Sequence, residues 1–306
     1  MSKKPKVGMW SGLTAVTAVL TAGAIVGTTV AFHYTTTVNN YLDADTYKII
    51  KGNSDEDTEY FKSDFTSDEE RESYEAELCA QVEAEGAALL KNDNSALPLA
   101  SGAKVSLFGH GSVDLMYGGT GSGSVDTSKA PNLKQALEAQ GITINQTLWD
   151  LYSSDSMMSK YSRLTPASIS DTLEANTQYA VNEAPWSALS SAESSFAEYG
   201  DAAIVVLSRS GGEGADLPSG ENGTSDSWIS GQEGDGNYLA LSAEEIELLQ
   251  NLKALKDNGT FKKIIVLINS SNAIEMDFLN PEICGEDYGI DSAMWIGDVG
   301  QTGING

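Results

Sequence analysis

Five short runs of mostly apolar, often β-branched residues constrain the fold more than any other feature of the sequence. They lie at residues 105–108, 142–144, 202–207, 264–268 and 293–296. Runs with so little polar alternation are typical of strands buried on both faces of a sheet. Helical segments are expected between several of them, at 132–140 and at 242–256, where Ser242 and Glu245 have the spacing of a capping box. Alternating strands and helices predict an α/β fold, with a mostly parallel sheet covered by helices on both faces.

The region before the first of these strands divides into a polar segment and a helix. Residues 35–73 are rich in Asp, Glu, Ser and Lys, and predict an acidic, solvated stalk. Residues 74–90 carry Leu78, Val82 and Leu89 at helical spacing, which predicts a helix over that range.

The N-terminus has the pattern of a membrane segment. No charged residue occurs between residues 7 and 32, and three lysines lie within the six residues before it. A helix over residues 9–34 reaches across a hydrocarbon core of about 30 Å. The lysines then place residues 1–8 in the cytoplasm and the residues after the helix outside it. The chain is therefore expected to be a single-pass protein of the cell membrane. A signal peptide cleaved after Ala31 is the alternative, and it exports the same residues.

Charge and composition limit the partners. The chain carries 44 acidic residues against 18 Lys and Arg, a formal net charge of −26, which disfavours nucleic acid and suits a neutral substrate such as a sugar. Cys79 and Cys284 are too few for a disulfide framework. His33 and His110 are the sequence's two histidines and neither lies in a ligand cluster, so no metal or other cofactor is expected. His110 is interpreted as a loop hydrogen-bonding residue.

Polar segments follow three of the predicted strands, at 109–111, 208–213 and 269–272. The carboxyl ends of parallel strands share one edge of a sheet, so we expect these segments to meet there. Glu213 and Asp216 follow the strand at 202–207 in a glycine-rich loop. A carboxylic acid in such a loop could protonate a leaving-group oxygen, and an ordinary surface carboxylate is the alternative. The glycine-rich segment 117–124 lacks the lysine of a phosphate-binding loop, and either shapes the site or connects elements flexibly.

Several segments resemble the sandwich domain of glycoside hydrolase family 3, in the same order. They are Glu85-Gly-Ala-Ala-Leu-Leu-Lys-Asn, Lys104-Val-Ser-Leu-Phe-Gly, Tyr117-Gly-Gly-Thr-Gly-Ser-Gly, Gly212-Glu-Gly-Ala-Asp, Leu267-Ile-Asn-Ser-Ser-Asn and Trp295-Ile-Gly-Asp-Val-Gly. The resemblance implies a flavodoxin-like sandwich over residues 74–306. Members of the family are mainly β-glucosidases, β-xylosidases and N-acetylglucosaminidases, in which this sandwich accompanies a catalytic barrel.

The resemblance also assigns roles. It implies that Glu213 is the general acid/base, and that Asp216 shapes the loop or contacts the sugar. Gly119 and Ser122 are also expected to contact the sugar. Leu217 stands where the family commonly has Arg, and Glu221 and Glu233, which follow it, are rival candidates for the acid/base role.

A retaining glycosidase also needs a second carboxyl about 5–5.5 Å from the first, which the family supplies from its barrel. Such a barrel takes about 250 residues, more than the segment before the sandwich offers. We therefore expect part of an exo-acting β-glycosidase of inverted domain order, cut before its barrel and nearly inactive alone. Its expected partners are a β-linked glucoside or another glycoside, the lipid bilayer through residues 9–34, and the barrel in cis or in trans. An exported, non-catalytic carbohydrate-binding or structural module is the alternative.

Overall fold

The structure is a computed structural model that describes residues 7–42, 61–165, 179–213 and 238–306. The chain divides into two compact units, residues 1–64 and 65–306. In the first unit, α1 (Val7–His33) is followed by α2 (Thr35–Tyr41). The part Trp10–His33 has a mean hydropathy of 1.8 and is long and apolar enough to cross a membrane, and a signal sequence near an N-terminus has the same properties. The hydroxyls of Thr14 and Thr28 donate to carbonyls one turn earlier, which satisfies them within the helix.

The second unit contains six α-helices and six strands among its described residues. The helices are α3 (Asp68–Gly86), α4 (Leu133–Ala139), α5 (Gln146–Tyr152), α6 (Asp155–Tyr161), α7 (Ala243–Asp257) and α8 (Pro281–Cys284). The strands are β1 (Ala88–Asn92), β2 (Lys104–Phe108), β3 (Thr143–Ile144), β4 (Ala202–Arg209), β5 (Ile264–Ser270) and β6 (Ser292–Trp295).

The strands form one mixed sheet in the order β1-β6-β5-β4-β2-β3. All neighbouring strands are parallel except β1, which pairs antiparallel with β6. Counted along the chain, the five parallel strands lie in the order 2-1-3-4-5. The direction of succession therefore changes between β2 and β4, and ligands of open α/β sheets bind beyond the carboxyl ends of the strands at such a point.

Both faces of the sheet are covered, as the apolar runs predict. All eight residues of β4 are buried, and alternate side chains join two different cores. Ala203, Val205 and Leu207 pack with apolar residues of α5 and α7. Ala202, Ile204 and Val206 pack with residues of α4 on the other face. The capping box predicted at Ser242 and Glu245 is present and begins α7.

The helix predicted over 74–90 is wrong at both ends. Ser67 caps α3 by accepting a hydrogen bond from the amide of Glu70, so the helix begins at Asp68, within the expected stalk. It ends at Gly86, and 88–92 form the edge strand β1, in which Leu89 pairs with Met294. Pairing with β6 outweighs the high intrinsic helix propensity of Ala88 and Leu89, since tertiary context readily overrides propensity.

Candidate active site

Asn269, at the end of β5, connects the end of β4 to the chain that follows β2 and to the chain that follows β6. Its Oδ1 accepts hydrogen bonds from the Met116 amide at 2.6 Å and from the Ser208 hydroxyl at 3.0 Å. Its Nδ2 donates to the carbonyls of Met116 and Gly297. Because the residue is completely buried, this one amide holds the segments after β2 and β6 against the ends of β4 and β5.

The two glycine-rich segments lie backbone against backbone. Thr120 and Gly212 form an isolated parallel bridge, and the Thr120 amide donates to the Gly211 carbonyl. Gly212 has φ +157°, and a Cβ there would lie 2.4 Å from the Thr120 nitrogen. A Cβ on Gly119 would lie 3.1 Å from the Gly211 oxygen. This contact gives Gly119 a packing role in the loop, and its predicted contact with sugar stays a prediction.

Glu213 extends from this junction and is held by Ser122. Its Oε2 accepts hydrogen bonds from the Ser122 hydroxyl at 2.6 Å and from the Ser122 amide at 3.0 Å. The hydroxyl, and then the amide, lower the pKa of Glu213 below its usual value. The side chain is otherwise exposed to solvent. Asp216, Glu221 and Glu233 lie outside the described residues.

A buried ion pair fixes both ends of the segment that contains Glu213. The Arg209 guanidinium, at the end of β4, binds the Glu245 carboxylate through two bonds of 2.8 and 2.7 Å. Its remaining donors reach the carbonyls of Ser208, Tyr238 and Ala240. Both charged side chains are almost completely buried. The guanidinium thus connects the strand before the loop to the chain at 238–240, where it returns to α7.

A second polar cluster supports the segment after β2. His110 is buried and its Nε2 lies 3.2 Å from Asp114 Oδ2, while Arg163 binds Asp114 Oδ1 at 3.0 Å. Burial opposes ionisation of Asp114, but the hydrogen bond from His110 and the charge of Arg163 outweigh it and lower the pKa. Glu183 accepts the backbone amides of His110 and Ala184. Here burial dominates and raises the pKa of Glu183 to about 7.

The family model for the glycosyl hydrolase family 3 C-terminal domain matches residues 87–305. The chain belongs to glycoside hydrolase family 3. This match confirms the resemblance to the family that the ordered segments of the sequence indicated. The match includes the sheet from β1 to β6, the glycine-rich segments and Glu213.

Named relatives of this family 3 chain are β-glucosidases. It is 34% identical over 146 residues to "Beta-glucosidase A" of Butyrivibrio fibrisolvens, covering 46% of the chain and 15% of that protein. It is 28% identical over 231 residues to a "Beta-glucosidase" of Ruminococcus albus, covering 75% and 21%. The chain thus spans about a fifth or less of these curated relatives.

Solved family 3 structures share the fold. The β-glucosidase of Paenibacillus barengoltzii matches with a TM-score of 0.54 at 23% identity, over 75% of this chain and 22% of that one. β-Glucosidase 3B of Thermotoga neapolitana, in complex with glucose, matches with a TM-score of 0.54 at 22% identity, over 77% and 29%.

The family 3 domain brings together Gly119, Ser122 and Glu213 of the predicted site residues. Sequence reasoning did not find the supporting groups, which are Asn269 as a connector, the Arg209–Glu245 pair, Arg163 and Glu183. Arg209 offered a signal, because an arginine ending an eight-residue buried strand needs a partner for its charge. Among the described residues, no group of three or more His, Cys, Asp and Glu side chains is arranged to hold a metal.

Replacing Asn269 by Leu is expected to lower the free energy of unfolding by about 2–3 kcal/mol, because buried amide and carbonyl groups of Met116 and Gly297 lose their partner. Urea unfolding of the full chain in a non-ionic detergent, followed by near-UV circular dichroism, measures this. The same change at Asn251, which binds a carbonyl at the surface of α7, should cost less than about 0.5 kcal/mol. Equal effects of the two substitutions would contradict the connecting role.

Glu183 is expected to make stability depend on pH. The folded state holds its proton up to about pH 7, whereas an unperturbed glutamate releases it near 4.5. The free energy of unfolding should therefore fall by roughly 3 kcal/mol as the pH rises through this window, with no further contribution on either side. Urea unfolding of wild type and Glu183→Gln across the window isolates the effect, since other titrating groups are common to both. Parallel pH profiles would show that Glu183 does not titrate this way.

Proposed function

We propose that this chain supplies the acid/base side of an outward-facing β-glycosidase of β-glucosidase type. The observation that carries the proposal is the position of Glu213. It lies just beyond the carboxyl end of β4, beside the point where the strand order reverses, and its side chain faces solvent. The names of the family relatives support a glycoside as the substrate.

In this proposal Glu213 exchanges one proton with the substrate. Its protonated carboxyl gives the proton to the glycosidic oxygen as the bond from that oxygen to the anomeric carbon breaks. A nucleophilic carboxylate on a barrel domain forms the new bond to the anomeric carbon. In the second step the Glu213 carboxylate takes a proton from water while the water oxygen attacks the same carbon and releases the nucleophile.

The acid role needs Glu213 to hold a proton, although Ser122 lowers its pKa here. An apposed barrel and a bound sugar would remove water from the exposed carboxyl, and such burial favours the protonated form. Asp216, Gly119 and Ser122 remain the proposed sugar contacts within this domain. No metal or other cofactor takes part in the proposed chemistry.

The proposed organisation has a cytoplasmic tail at 1–8, a membrane anchor at 9–34, an acidic stalk that begins at 35 and ends where α3 begins at Asp68, and then a flavodoxin-like sandwich. The apolar helix Trp10–His33 supports the anchor. The strand order supports the flavodoxin-like description. The barrel is proposed to join this sandwich either in the same polypeptide or as a separate subunit.

Recovery of the native protein tests the proposal. An antibody to residues 75–306 is used to purify the protein from the membranes of its source, and its intact mass, its bound subunits and its hydrolysis of an aryl β-glucoside are measured. We expect a mass well above 32.4 kDa, or a co-purifying barrel subunit, together with hydrolysis. A protein of about that mass that is recovered alone and inactive would overturn the enzyme proposal and favour a binding or structural module.

A further inference from the structure

In the contact between Ser122 and Glu213, only one of the two carboxylate oxygens accepts hydrogen bonds from Ser122. Both donors of Ser122, the amide and the hydroxyl, reach Oε2. Among the described residues, none donates a hydrogen bond to Oε1, and none forms an ion pair with this carboxylate. Oε2 is therefore bound to the glycine-rich loop, and the glutamate as a whole is exposed to solvent.

The loop is shaped to make this contact. Gly121 has φ +68°, and a Cβ there would lie 2.9 Å from both Glu213 Cβ and Oε2. A side chain at 121 would displace the glutamate, so glycine at this position allows Ser122 to approach it. The Thr120–Gly212 bridge fixes the two backbones immediately before the paired side chains. The Thr120 hydroxyl also lies 3.1 Å from that of Tyr179, which is buried.

We infer that Ser122 is a positioning residue for Glu213. Ser122 anchors Oε2 of the glutamate and leaves Oε1 as the oxygen that carries and transfers the proton. This inference rests on the proposed function of Glu213 and adds a role for Ser122 beyond contact with sugar. The arrangement restricts the carboxyl to one orientation before substrate arrives, and proton transfer depends strongly on such orientation.

The arrangement also predicts how the carboxyl titrates. Hydrogen bonds to a carboxylate favour its ionised form, and both bonds described here come from Ser122. Removal of the hydroxyl eliminates the shorter of them and keeps the amide. The proton should then bind Glu213 more tightly, without any change in nearby charged groups.

The test is a pH titration of the full chain in detergent micelles, with glutamate side chains labelled with ¹³C at the carboxyl and observed by NMR. The Glu213→Gln variant identifies the Glu213 resonance by its disappearance. Ser122→Ala is expected to raise the titration midpoint of this resonance. Ser122→Thr keeps both donors and should restore the wild-type midpoint. Ser124→Ala, a hydroxyl removal in the same loop, should leave it unchanged.

An unchanged midpoint in Ser122→Ala would overturn the inference, as would an equal shift in Ser124→Ala. Circular dichroism of each variant establishes that the fold is retained. The titration does not depend on hydrolysis, so its failure would leave the proposed acid/base role standing. Conversely, activity that survives Glu213→Gln would refute the proposed function. A midpoint shifted by Ser122→Ala would in that case still support the contact between Ser122 and Glu213.

Discussion

Glu213→Gln is expected to lower kcat/KM of the barrel-containing enzyme by about 10²–10⁴-fold on a β-glucoside with an alkyl leaving group. The amide keeps the size of the side chain but cannot donate a proton to the glycosidic oxygen. A nitrophenyl β-glucoside should lose much less in its first step, because nitrophenolate leaves without protonation. The measurement is a comparison of kcat/KM for the two substrates in wild type and variant.

Two further results sharpen this test. Azide should restore turnover of the nitrophenyl substrate by Glu213→Gln, because azide attacks the anomeric carbon without needing a base, and a β-glucosyl azide should accumulate. Glu221→Gln and Glu233→Gln are the matched controls, since both carboxylates follow in the same segment of the sequence. A leaving-group-dependent loss in either control, with Glu213→Gln unaffected, would transfer the acid/base role to that residue.

Arg209→Met is expected to lower the free energy of unfolding by about 3–5 kcal/mol, because it leaves the Glu245 carboxylate buried without its counter-charge. It also removes the donors that bind the carbonyls at 238 and 240. Urea unfolding of the full chain in detergent measures the loss. Lys253→Met is the matched control on α7. The Lys253–Asp257 pair lies at the solvent-accessible surface, where an ion pair contributes little to stability, so the loss should be far smaller.

The double variant Arg209→Met with Glu245→Leu separates burial of an unpaired charge from loss of packing. Replacement of both partners by apolar residues removes the uncompensated charge, so stability should recover much of the way toward wild type. A double variant as unstable as the sum of the single variants would show that the two residues act independently.

The sequence predicted the sheet well wherever burial decides the structure. Apolar runs such as 202–207 are strands because both of their faces pack against a core. Parallel strands place their carboxyl ends at one edge, so the convergence of the segments after β2, β4 and β5 could also be predicted. The edge strand β1 could not, because Leu89 and Leu90 remain substantially exposed there and their spacing fits a helix equally well.

The details of the site depend on contacts between distant parts of the chain. Ser122 and Glu213 are 91 residues apart, and Asn269 is 153 residues from Met116. Local patterns carry no information about which loop reaches which carboxylate. Glu245 illustrates the point, because its spacing from Ser242 indicated only a helix cap, whereas the folded chain also uses it to neutralise Arg209.

The double attachment made by Arg209 has a consequence for how such a domain can diversify. It fixes the exit of β4 and the return at Tyr238 and Ala240 independently of the residues between them. The entropy of closing a loop grows only slowly with its length, so insertions or exchanges downstream of Glu213 need not disturb the strand or the carboxyl. Segments from other family 3 domains could therefore be grafted between these anchors while Glu213 keeps its contact with Ser122.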